Sequence, residues 1–418
     1  MKKSVKIVVA IGCLVLMGSG ELIASPVTVS TVDDAVQYGL SHNPFLKAQK
    51  YKLNASRELP TKLGSLADPK IGIRLNGSPA KNSSYDVDQK RYFIGQSFPF
   101  LGELGRKQQL GKIRTSLEEL NYAMSENKLV FQIEKTYYNL VLTKSLIRIT
   151  EKNRDILTKM VNIADVKYQS GSGLQGNVLK AEVTKDKLDE QLLNLKHREV
   201  QLDATFSQLL GIAPSENMAV SLNYTAEIES ITSTPNQDWV NTTLHVRKAS
   251  IAKDVSDHKK RIEEDRYLPN FSAQVEYWDN SGMDNQYGGQ IGMTFPWLNG
   301  KNAAATKEAK WMALSSFELR KNSENVNAAQ LKSLVSEINT TVKTIQLYED
   351  SLLKNAELSL NSFQKAYEVD QVSFIDYFES EKMLFGIEMD YERLLNRYHT
   401  LQSILKSYYE KGGLPYGR

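Results

Sequence analysis

Cysteine is almost absent. The single one, Cys13, sits in an apolar run near the N-terminus, so neither disulfides nor thiolate chemistry hold or operate the rest of the chain. Histidine is scarce too: His42, His197, His245, His258 and His399 lie far apart, without the spacing that metal ligands need. No G-x-S-x-G, P-loop or G-x-G-x-x-G occurs in a suitable context, so no catalytic residue, cofactor site or metal site is expected and the chain is read as a non-enzyme. Past residue 25 no apolar run reaches the ~18 residues of a membrane-spanning helix. Proline is the informative scarcity. Leu104–Tyr168 and Asn302–Tyr367 contain none, and a continuous helix over such a stretch would be about 100 Å long, wider than a globular core.

Lys2, Lys3 and Lys6 precede the run IVVAIGCLVLMG and then small residues, the layout of a secretory signal peptide over 1–25 with its cleavage point left open. Around Cys13 the run AIGC makes a poor lipobox, with Ala10 at the usual leucine and apolar residues following, so lipidation is the lesser reading. That segment holds three of the 52 basic and one of the 49 acidic residues, so the remainder is nearly neutral and offers no basic face to a nucleic acid.

The chain is written twice, at a separation of about two hundred residues, too long for a solenoid repeat. PFLKAQ parallels HVRKAS, LADPKIGIRL parallels RYLPNFSAQVEY, and SFPFLGELGRK parallels TFPWLNGKNAA. Further on, KYQSGSGLQGNVLKAE parallels AYEVDQVSFIDYFESE, and LLGIAP parallels KGGLP. Each copy reads as a modest helix, two strands, a very long helix, a break and another long helix. The first copy takes 26–215, with strands over about 69–98 and helices over about 102–168 and 176–210. A segment over 216–241 precedes the second copy, 242–418, with strands over about 269–296 and helices over about 301–368 and 374–410.

In the helices, apolar residues step by three and four. Leu384, Ile387, Tyr391, Leu394, Tyr398, Leu401, Leu405 and Tyr408 form a heptad seam, as do Leu353, Ala356, Leu360, Phe363 and Tyr367. The strands alternate with period two: Ile71, Ile73 and Leu75 in one hairpin, Phe271, Ala273, Val275 and Tyr277 with Tyr287, Ile291 and Met293 in the other. Two lone hairpins are not a stable sheet. Apolar on one face, Ser and Gln on the other, and aromatics near the strand ends are what a membrane barrel requires. Val275 and Ile291 are therefore expected to face lipid, and Gln274 and Gln290 the lumen. Four strands cannot close a bacterial barrel, so the barrel would be shared between chains.

This pattern resembles the TolC-like outer membrane efflux family across essentially the whole mature chain. The residues that carry the resemblance are TVDDAVQYGLSHNPFLKAQ, the turns FPFLGE and FPWLNG, and YQSGSGLQGNVLKAE. It implies a mainly helical fold with a small β part: antiparallel coiled-coil helices in a trimeric α-barrel, and four strands per protomer in a shared 12-stranded transmembrane barrel. Also implied are a location in the outer membrane of a Gram-negative bacterium with extension into the periplasm, and passive export in a tripartite efflux or type I secretion system. The implied partners are two further copies of the chain, outer membrane lipid, a periplasmic adaptor and an inner-membrane pump, the RND type being one option. The breaks at Gly171 and Gly173, and at Asp370 and Ser373, become adaptor-contact tips. Asp376 and Glu379 become candidates for an acidic ring at the periplasmic aperture, with Asn177 at the matching place in the first copy. Two departures stand out: Asp370 replaces the glycine of the first copy, and Asn177 replaces an acid. Ser373 and Asp376 also read as an ordinary helix cap. The cargo is not legible. A periplasmic coiled-coil adaptor or structural protein without a barrel is the second reading, and an extracytoplasmic enzyme the third.

Overall fold

The structure, a computed structural model, describes residues 27–29, 31–76, 89–212, 218–220, 224, 228–280, 284–297 and 300–410. The expected signal peptide with Cys13 lies outside the described residues. In chain order the elements are β1 (Val27–Val29), α1 (Val32–His42), α2 (Pro44–Arg57), α3 (Leu59–Gly64), β2 (Lys70–Asn76), β3 (Gln89–Phe98), α4 (Glu103–Gln169) and α5 (Gln175–Leu210). Then come β4 (Met218–Val220), α6 (Gln237–Thr242), α7 (Leu244–Asp265), β5 (Phe271–Asn280), β6 (Gln286–Met293), α8 (Lys301–Leu347), a π-turn (Tyr348–Leu352), α9 (Leu353–Glu368) and α10 (Phe374–Ser407). The chain is mainly helical with one small antiparallel sheet, in the order β2-β3-β5-β6, while β1 and β4 form a separate parallel pair.

Local chemistry sets the helix starts. Thr31 and Asp34 close a capping box on α1, and Asn43 caps α2 ahead of Pro44, whose missing N–H costs nothing at a first helical position. Those caps also join helices end to end. The Asn43 side-chain amide donates to the Leu209 carbonyl at 2.8 Å, setting α2 on the end of α5. In the second half the Leu244 N–H donates to the Tyr408 carbonyl at 2.9 Å, setting α7 on the end of α10. Each half is thus one very long helix beside a column of two stacked ones. Toward the sheet, α3, α4, α7 and α8 pack side by side in the order of the strands they adjoin.

The heptad seam of α10 packs as its spacing predicts: Tyr398, Leu401 and Leu405 are buried against Leu331, Ile338 and Ile345 of α8. The second long helix, read from sequence as unbroken over 301–368, contains the π-turn. Leu353 lies eight positions after Ile345, one more than the spacing of a heptad. The π-turn takes up the extra residue and returns the apolar stripe to its partner. There Tyr391 donates its hydroxyl to Glu349 Oε1 at 2.6 Å. Among the described residues no helix is long and apolar enough to cross a membrane.

Where α3 crosses α4, Gly111 permits backbone contact: a Cβ there would lie 2.7 Å from Pro60 Cα. Gly105, in the same helix, has nothing within 4 Å. Gly111→Ala should therefore destabilise by on the order of 1–3 kcal/mol through overpacking, whereas Gly105→Ala should be neutral or stabilising by up to about 1 kcal/mol. Thermal unfolding of the two variants checks this, and equal effects would contradict the close approach.

Candidate functional site

Residues singled out by the sequence gather at two ends of the molecule. At the strand end, Ile73, Tyr92, Ile94, Val275, Tyr277, Tyr287 and Ile291 share one face, because β3 and β5 pair Tyr92 with Tyr277 and Ile94 with Val275. Val275 is 60% and Ile291 86% exposed, so this face is apolar and uncovered within the chain. The other face carries Arg74, Arg91, Gln274, Glu276, Trp278 and Gln290. There the buried Glu276 carboxylate accepts from Gln274 Nε2 at 2.5 Å and from Trp278 Nε1 at 2.9 Å. Arg91 donates from Nε to Gln89 Oε1 at 2.7 Å and lies 4.7 Å above the Trp278 ring.

At the other end the helix breaks meet. Gly171 follows α4 with φ +77°, and Asp370 follows α9 with φ +57°. Both turns close alike: the Ser172 N–H reaches back to Lys167 O at 2.9 Å, and the Gln371 N–H to Ala366 O at 2.8 Å. The αL cap that glycine supplies at no steric cost is made by an aspartate in the second break. The apparent departure at Asp370 therefore leaves the turn unchanged. Lys167 pairs with the Asp370 carboxylate and sits 4.1 Å above the Tyr367 ring, tying the two breaks together. Gly173 lies against the Lys167–Tyr168 backbone, where a Cβ would come within 3.0 Å of Tyr168 N. Beneath the tips, Tyr367, Phe374, Tyr377 and Phe378 form an aromatic core with Leu157, Met160 and Val178.

Asp376 is the third residue of α10, in a capping box with Ser373: its carboxylate accepts from the Ser373 hydroxyl at 2.6 Å and from the Ser373 N–H at 3.1 Å. Those hydrogen bonds hold the exposed carboxyl below its ordinary pKa. Glu379 is exposed and 3.7 Å from Lys180 of α5. Asn177, in the first turn of α5, donates its backbone N–H to Leu174 O at 3.0 Å. The breaks lie together, so Asp376, Glu379 and Asn177 belong to one end of the molecule, opposite Val275 and Ile291.

Three titratable groups on α10 are shifted by burial, and two of them, Glu381 and Glu392, escaped the sequence reading. Glu381 is buried, and burial, then the neighbouring Glu388, push its carboxyl up to about 8, against the opposing charge of Lys152. Burial also raises Glu392. His399 is held down at about 4, first by burial and then by Lys406, and its ring packs nearly parallel to both Tyr138 and Tyr224, at 4.5 and 5.0 Å, in a cluster where the two tyrosines also meet at 6.2 Å. The repeat offers one overlooked signal: Lys180 and Glu379, which form an ion pair, occupy matching positions in the two copies. Among the described residues no group of three or more His, Cys, Asp or Glu is placed to hold a metal ion.

The folded Glu381 carboxyl keeps its proton above the unfolded value of 4.5, so its contribution favours folding fully below about 4.5 and is lost as pH rises toward 8. Glu381→Gln should match the parent's melting temperature at pH 5 and exceed it by a few degrees at pH 8, at roughly 2–4 °C per kcal/mol. Equal shifts at both pH values would detach the effect from protonation.

No family model and no curated protein matches the chain. Solved structures do. The outer membrane protein VceC of Vibrio cholerae superposes with a TM-score of 0.76 at 12% identity, covering 90% of this chain and 95% of its own. The Campylobacter jejuni CmeC outer membrane channel gives 0.75 at 14%, covering 90% and 85%. The open state of the Neisseria gonorrhoeae MtrE outer membrane channel gives 0.77 at 12%, covering 90% and 88%. Coverage of 90% of this chain and of 85% or more of each of these structures means that this chain has the TolC-like outer membrane channel fold.

Proposed function

We propose that the chain is the exit duct of a tripartite efflux or secretion system, a passive outer membrane conduit leading from the periplasm to the exterior. The observation that carries this is the sheet: its apolar face is uncovered and its outer strands, β2 and β6, have an unpaired edge each among the described residues. In lipid every backbone donor and acceptor must be paired, so an open sheet of this kind has to close with further copies. Three copies would make a 12-stranded barrel with Val275 and Ile291 against lipid and Gln274 and Gln290 inside. The same sequence of elements on either side of the middle segment supports duplication of an ancestral half. Residues 1–25 act as the export signal.

The tips at Gly171, Gly173, Asp370 and Ser373 contact a periplasmic adaptor, which couples the duct to an inner-membrane pump. Compact exposed turns at the end of a rigid helical body suit such contact. Glu379, with Asp376, supplies the acidic ring of the aperture. A periplasmic coiled-coil protein without a barrel, the alternative, gives no reason for the apolar sheet face.

The chain is expected to run as a heat-modifiable trimer in outer membrane fractions. Val275→Arg should cut trimer yield, at a cost of about 2–4 kcal/mol per chain near mid-bilayer. Recovery of the parent as a soluble periplasmic protein would overturn the duct, and tolerance of arginine at Val275 with failure at Gln274 would reverse the faces. Replacing Asp376 by Asn and Glu379 by Gln should lower cation selectivity and raise resting conductance in planar bilayers. Lower melting temperature with unchanged conductance would leave Asp376 as a cap alone.

A further inference from the structure

Two arginines stand directly across the β2–β3 ladder from one another, Arg74 paired with Arg91. Like charges at such a position weaken a sheet. Neither is neutralised by an ion pair to a described residue: Arg91 is held by the neutral Gln89 amide and the Trp278 ring, and Arg74 makes no hydrogen bond to a described residue. On this face of the four strands Glu276 is the sole acid among the described residues; its charge acts on both arginines, but its oxygens are hydrogen-bonded to Gln274 and Trp278, and one carboxylate cannot balance two guanidinium groups. Lys70 adds a further positive charge to the same face. Glycines clear the floor. A Cβ at Gly72 would meet the Phe93 ring at 2.5 Å, and one at Gly288 would meet the Trp278 ring at 3.2 Å, so both rings lie across the neighbouring strands.

We propose that this patch is an organic-anion site. Arg74 and Arg91 take a carboxylate or phosphate group of a passing solute, and the Phe93 and Trp278 rings meet its apolar part. Guanidinium groups suit this because their planar forks match both anions, and a low-dielectric wall strengthens their field. The inference rests on the duct reading, in which this face lines the lumen. Three copies would set three such pairs around one bore, the arrangement by which anion pores select. The patch lies at the strand end, opposite the acidic candidates at the helix breaks, so its effect is read from the exterior side.

The test uses the full chain in planar bilayers with citrate, or inositol hexakisphosphate as a larger phosphate probe, added on the side of the strand loops. Both anions should block the parent channel, and Arg74→Gln with Arg91→Gln should need at least about tenfold more of either, a loss of about 1.4 kcal/mol. Arg74→Gln alone, which removes no hydrogen bond to a described residue, should need about threefold more on half of that free energy, and keeps the question answerable if the double variant does not insert. Parent-like conductance with unchanged block in the variants overturns the anion site and leaves the duct standing. Absence of any conductance from the parent trimer overturns the duct reading itself.

Discussion

One antiparallel ladder, Gln89–Phe98 against Phe271–Asn280, decides where the rest of the molecule lies. It joins the two halves of the chain, and its register determines which side chains share a face. A slip of one residue would put Val275 on the face of Arg91 and Glu276 on the face of Ile94, mixing apolar with charged side chains on both surfaces. With the register as found, apolar residues gather on one face and the arginines, glutamines and Trp278 on the other. The helices below inherit the order. Because α3, α4, α7 and α8 each adjoin one strand, they pack in strand sequence, and the long helices run down from them.

The helix breaks solve the opposite problem, how to reverse a rod more than sixty residues long without leaving its last carbonyls unpaired. Both breaks use a left-handed residue that lets the chain bond back to the helix end, Gly171 in one and Asp370 in the other. An aspartate there carries a steric cost that glycine lacks, and its carboxylate pairs with Lys167 of the other break. The lysine also covers the Tyr367 ring, so backbone turn, ion pair and aromatic core form one unit. At the start of α10 the Ser373–Asp376 box is a sufficient physical reason for an acid at that position.

Between the ends, α10 carries ionisable groups where a coiled coil ordinarily has apolar ones. Glu381 is buried and protonated over part of the physiological range, and His399 is neutral against two tyrosine rings. Both are packed in their uncharged forms, which avoids the desolvation cost of a buried ion.

What the sequence determined by itself was everything whose cause is local. The three-four stepping of Leu394 to Leu405 marks a helix and its buried stripe, and the alternation through Val275 and Ile291 marks strands with one apolar face. Gly171 marks a turn, and Ser373 with Asp376 marks a helix start. Each depends on neighbours within a turn or two, so composition and spacing suffice. Tertiary structure alone decided the rest. That the Asp370 carboxylate meets Lys167 depends on a helix far away in the chain. The burial of Glu381 depends on the packing of α10 against α4, and the π-turn on keeping a stripe aligned with a separate helix. The confrontation of Arg74 and Arg91, and the seat of Arg91 on Trp278, follow from strand register. Long-range pairing carries no local signature: each of these residues is an ordinary polar residue in its own segment and acquires its role only when a distant one is brought beside it.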